Sequence, residues 1–132
     1  MALADPDLPA GVALPELSAE PPRGFGAERY RLLRAAFGEL PRRSRVIVVL
    51  RLGLAGRRPL TLRVVGELLG VGHERVRQLE HHAVWMLVRA WRPQASPGDL
   101  TRADQNALLA PILDVALDRY PLDPDPPDGE KQ

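Results

Sequence analysis

The sequence predicts an all-α domain, and three observations predict it. Only two Trp, two Tyr and two Phe supply rings among 132 residues, so the 45% apolar share is carried largely by Leu, Val and Ala, which suit packed helices. Apolar residues recur three and four apart in successive stretches, the helical period. Pro41, Gly53, Gly70 and Pro93 fall between those stretches, where helices stop. A chain of this length has room for one compact domain, with roughly two thirds of its unfolded surface buried.

Taken in order, the first helix should run from Ala27 to Glu39, with Tyr30, Leu33, Ala36, Phe37 and Leu40 on one face. A second should follow Pro41, bury Val46, Val49 and Leu50, and stop near Leu52 because Gly53 is a C-terminal breaker. Thr61 is an N-cap candidate for a short helix ending near Leu69, and Gly70-Val71-Gly72 turns the chain into a long helix from His73 to Trp91. Beyond Pro93 to Asp99, Thr101-Arg102-Ala103-Asp104 reads as another cap. It opens a helical extension with Leu109, Ile112, Leu113, Ala116, Leu117 and Tyr120 on one stripe. Pro111 should kink that helix or split it near Ala110. The stripe either packs back on the domain, which is the favoured reading, or serves a dimer or partner.

Prolines 6, 9, 15, 21 and 22 make residues 1–22 a flexible or extended acidic arm, and residues 121–132 an acidic, proline-rich tail expected to be disordered. The chain thus divides into the arm 1–22, a helical domain 23–92, a C-terminal extension 93–120 and the tail 121–132.

The net charge of +1 conceals strong segregation. Residues 1–22 hold four acids and no base, residues 23–92 hold fifteen arginines against five glutamates, and residues 93–132 hold three bases against eight acids. A local balance of +10 is the footprint expected for a polyanion partner, although a solvated arginine-rich surface would carry the same charge. Seventeen of the eighteen basic residues are Arg, whose fork suits phosphate and guanine.

With no cysteine, disulfides, thiolate metal sites and thiol catalysis are excluded. Residues 1–20 lack the basic and apolar blocks of a secretory signal, and no apolar run reaches about 18 residues, so a cytoplasmic, nucleoid-associated location is expected and no membrane contact. His73, His81 and His82 are poorly spaced for a metal and have no Cys beside them. The serines Ser18, Ser44 and Ser96 lie outside any nucleophile elbow. Neither enzyme activity nor a cofactor nor a small-molecule substrate is expected.

Residues 61–80, TLRVVGELLGVGHERVRQLE, form a short helix, a three-residue turn and a second helix, the layout of a DNA-reading helix-turn-helix. If Val76, Leu79 and Ala83 are buried, steps of about 100° put Glu74, Gln78 and His81 on the opposite side, flanked by Arg75 and Arg77. These are groove-reading side chains: Arg pairs with guanine, Gln with adenine, and Glu accepts from cytosine.

Leu40-Pro41-Arg42-Arg43, Leu50-Arg51-Leu52-Gly53-Leu54, Thr61-Leu62 with Gly66, Gly70-Val71 and Glu74-Arg75-Val76-Arg77-Gln78-Leu79-Glu80 follow one another in unbroken order. Across residues 27–89 this resembles region four, the C-terminal helix-turn-helix domain of housekeeping-class bacterial sigma factors. The resemblance implies a four-helix domain whose last helix enters the major groove of the upstream promoter hexamer, and whose earlier helices dock on the β-subunit flap of RNA polymerase. It implies base and phosphate contacts from Glu74, Arg75, Arg77 and Gln78. With the neighbouring positions, the DNA-contacting set is Thr61, His73, Glu74, Arg75, Arg77, Gln78 and His81.

The departures from that pattern are informative. Gly72 replaces a capping Thr or Ser, a loss of a few tenths of a kcal/mol. Arg63-Val64 replaces Glu-Glu, so the capping box is missing; His73 takes the place of a basic residue and Ser44 that of a Glu. His82, Trp85, Met86 and Val88 stand at positions that resemblance makes basic, which implies weaker affinity or a different target. Trp85 falls on the outward line with Val88 nearby, making these two the candidate partner-binding residues, either for a twofold dimer or for another protein. No promoter-melting domain accompanies the module, so the expected role is a promoter-binding regulator acting with RNA polymerase. The rival is a protein-interaction module, or one subunit of a split sigma factor, for which DNA contact is secondary.

Overall fold

The computed structural model describes residues 8–9, 11–54 and 56–117, and across them the chain is helical. The helices are α1 (Ala27–Glu39), α2 (Arg42–Leu52), α3 (Leu62–Leu69), α4 (His73–Trp91) and α5 (Arg102–Ala116), with a 3-10 turn at Pro97–Asp99 before the last. This is a four-helix helix-turn-helix domain with an additional C-terminal helix. The tail 121–132 and Tyr120 lie outside the described residues.

Local chemistry sets the boundaries. Pro41 forces Leu40 into extended backbone (φ −67°, ψ 148°), which ends α1 and lets α2 begin one residue after the proline. Gly53 (φ 66°) and Gly70 (φ 76°) close α2 and α3 in the left-handed conformation that glycine adopts without penalty. Thr61 caps α3 by accepting the Val64 N–H at 3.1 Å. At α5, Thr101 and Asp104 form a reciprocal capping box, each bond 3.0 Å.

α4 is the axis of the molecule, and α1, α2, α3 and α5 all pack on it. Around its first half, Val76 joins Val46, Ile47 and Leu50 of α2 and Val65 and Leu69 of α3. Around its second half, Ala83, Val84, Leu87, Val88 and Trp91 are enclosed by Tyr30, Leu33 and Phe37 of α1 and Leu109, Ile112, Leu113 and Ala116 of α5. The C-terminal stripe therefore packs within the chain.

Pro111 neither breaks nor splits α5, which is continuous from Arg102 to Ala116. A proline inside a helix costs about 3 kcal/mol. The fully buried Leu109, Ile112 and Leu113 on either side contribute roughly 1.5–3 kcal/mol each, enough to hold the helix together.

Part of the N-terminal arm is docked on the helices. Leu17 is buried and pairs with Leu117 in an isolated antiparallel bridge, and the Ser18 N–H donates to the Ala116 carbonyl at 2.9 Å. The Tyr30 hydroxyl donates to the Ser18 carbonyl. Acids and prolines do not prevent this, because Leu17 is buried, Leu8, Val12 and Ala13 pack against the core clusters, and the backbone groups of Leu17 and Ser18 are partnered.

Candidate nucleic-acid interface

The turn between α3 and α4 depends on a missing side chain. A Cβ on Gly66 would stand 2.6 Å from the Val71 carbonyl oxygen, and the Val71 N–H donates to the Gly66 carbonyl at 3.0 Å. Only glycine lets the turn fold so closely onto α3. The Gly72 N-cap supplies no side-chain bond to α4, as its sequence implies.

Along α4 the burial pattern puts Val76, Glu80 and Ala83 inside and His73, Glu74, Arg75, Arg77, Gln78, His81 and His82 outside. Six of the seven expected DNA-contacting residues thus share one exposed face. Thr61 sits apart, at the start of α3, where its oxygen serves as a cap.

Glu74 and Arg77 form a bidentate pair one turn apart on that face. Arg77 Nε reaches Glu74 Oε1 at 3.1 Å and Nη2 reaches Oε2 at 2.5 Å. The Arg77 hydrogen bond, aided by its positive charge, holds the Glu74 carboxyl below the usual carboxylate value. The same hydrogen bond raises Arg77 above the usual guanidinium value. Glu74 takes the Nε side of the guanidinium, so the Nη1 donors stand outside that pair.

Glu80 is the charged residue that sequence reasoning missed. It is 6% exposed, and its Oε1 accepts Arg51 Nε of α2 at 2.9 Å. Arg51 also donates to the Leu60 carbonyl at 2.8 Å, tying the loop before α3 to α2. The signal was present: Glu80 lies four residues after Val76 and three before Ala83, on the apolar line, where a carboxylate requires a buried partner.

Val88 must be corrected. It is 0% exposed and belongs to the core, so it offers no partner surface. The buried arc of α4 widens in its second half because α1 and α5 flank it there, whereas the first half meets α2 and α3 and leaves more of its circumference open. Trp85 is half-buried, packed at the edge of the same core cluster and facing a cleft toward α5.

Among the described residues, no cluster of three His, Cys, Asp or Glu is placed to hold a metal ion. No helix among them is long and apolar enough to cross a membrane.

A glycine-dependent turn leading into a helix with an exposed Arg/Gln/Glu face defines a DNA-binding helix-turn-helix module. Residues 36–87 match the family model described as sigma-70, region 4. No solved structure matches the chain.

Proposed function

We propose that α4 enters the major groove of a promoter element and reads its sequence, and that the domain does so in concert with RNA polymerase. The observation that carries this reading is the polar face of α4, outward over six expected contact residues inside a region 4 match. Arg77 donates from its Nη edge to guanine O6 and N7 while Glu74 holds the guanidinium in place. Gln78 suits adenine, and Arg75 and His73 suit the flanking phosphates. The Thr61 hydroxyl, whose oxygen caps α3, keeps its proton for a phosphate oxygen.

The test is a fluorescence-anisotropy titration of selected promoter duplexes and random duplex over a salt series, with a pull-down on core RNA polymerase. The expected result is binding that falls linearly in log salt, a preference for the selected site, and capture of polymerase. Absence of duplex binding at low salt overturns DNA reading, and polymerase capture in that case favours a protein-interaction module.

A further inference from the structure

Between the exposed side of α4 and the start of α5 lies a cleft of about 650 Å³. Arg77, His81 and His82 of α4 and Arg102 of α5 line it, with Trp85 and Leu100 as its apolar wall. Among the described residues no carboxylate lines it, and of its two guanidiniums Arg77 is paired with Glu74 outside the lining. Asp104, the nearest acid on α5, is spent on the Thr101 N–H. Two guanidiniums and two imidazoles thus converge on one concavity open to solvent beside the DNA-reading face.

Arg102 is the unusual member. Its Nη2 is hydrogen-bonded to His81 Nδ1, and its Nη1 points toward the Glu80 carbonyl at 3.5 Å. A guanidinium has only donors, so His81 Nδ1 must be the acceptor. That fixes the ring proton on Nε2 and turns His81 into an outward N–H donor. Arg102 is also under-compensated: burial lowers its pKa, and repulsion from Arg51 adds to this against the attraction of Glu80. An oxyanion in the cleft would supply the missing negative charge.

We propose that Arg102 and His81, with His82, form a seat for a DNA backbone phosphate. The C-terminal extension would thereby become part of the DNA interface, although it lies outside the matched segment 36–87. This rests on the DNA-binding reading of α4. A phosphate seated here fixes the position of the helix on the duplex without reading sequence. It also restores positive charge near the end of α4, where His82, Trp85, Met86 and Val88 replace basic residues of the family pattern.

The test compares wild type, Arg102→Ala, Arg102→Lys, His81→Ala and the double alanine variant by anisotropy on a selected duplex and a random duplex over a salt series. Circular-dichroism melts identify any variant that fails to fold. Arg102→Ala should weaken both duplexes alike, by about tenfold at low salt, and reduce the log-log salt slope by about one. Arg102→Lys should recover the slope, and the double variant should lose less than the product of the two single losses, because the residues act as one unit. Unchanged affinity and slope in a folded Arg102→Ala, with wild type still binding, overturn the phosphate seat and leave the DNA reading intact. Failure of wild type itself to bind overturns the DNA reading. A titration of inorganic phosphate followed by His81 ring resonances separates the two sources of the anion: a response to free phosphate with no effect of Arg102→Ala on duplex binding also overturns the proposal.

Discussion

Arg51 of α2 and Glu80 of α4 meet at 2.9 Å on the inner side of α4, with the Glu80 side chain 7% exposed. Their pairing fixes the rotation of α4, because turning it outward would separate the charges and turning it inward would bury exposed polar residues. Removing one partner of a fully buried pair costs about 3–5 kcal/mol. Arg51 keeps 26% of its side chain exposed and would retain the Leu60 carbonyl, so the loss here should be smaller. Glu80→Gln should therefore destabilise the fold by roughly 1–3 kcal/mol in urea melts. A melt indistinguishable from wild type would show that the pair does not hold α4.

Gly66→Ala should be costly although it adds one methyl group. The new Cβ would stand 2.6 Å from the backbone oxygen of Val71, and backbone cannot swing aside as a side chain can. A loss of about 1–3 kcal/mol is expected, together with weaker duplex binding as α4 shifts relative to α3. Heteronuclear NMR should show shifts spreading from the turn into both helices, and changes confined to residue 66 would contradict the steric argument.

The Glu74–Arg77 pair makes a pH prediction. Glu74 is held below the ordinary carboxylate value, so the pair is intact at neutral pH and is lost only as pH falls through that lowered value. A carboxyl-resonance titration should place the Glu74 midpoint below that of an ordinary Glu, and Arg77→Ala should return it upward. Both side chains are exposed, so melting should barely change. An unaltered midpoint in Arg77→Ala would mean that the pair does not form in solution.

Base reading separates residues of the same face. Arg77→Ala and Gln78→Ala should each lower affinity for a selected site by about 1–3 kcal/mol with a smaller effect on random duplex. Glu74→Ala should relax specificity more than affinity, because it releases Arg77 to other bases and removes a charge that repels phosphate. Equal losses on both duplexes for all three variants would argue against direct readout.

Val88→Ala and Trp85→Ala should diverge from a partner-surface pattern. Val88 is wholly buried, and its truncation should cost about 2–3 kcal/mol without changing association. Trp85 is only partly exposed, so a loss below the roughly 3–5 kcal/mol of a fully buried ring is expected. Sedimentation paired with thermal melts checks both, and a Trp85→Ala variant that keeps its stability but loses self-association would restore the dimer surface.

The sequence by itself determined the helices, their ends and the outward polar face of α4. These depend on signals within a few residues of one another: Pro41 restricting Leu40, glycines at 53 and 70, a threonine cap, and an apolar period that points Gln78 and His81 away from Val76. It did not decide that Val88 is core, because that depends on which helices flank α4, and α5 arrives from beyond the connection that holds the 3-10 turn. Nor did it pair Arg51 with Glu80, 29 residues apart, or Arg102 with His81, 21 apart, or lay Leu17 against Leu117. A helical period assigns a residue to a face, whereas the depth of that face and the charges it meets are set by the elements that close over it. Only the packed structure supplies those.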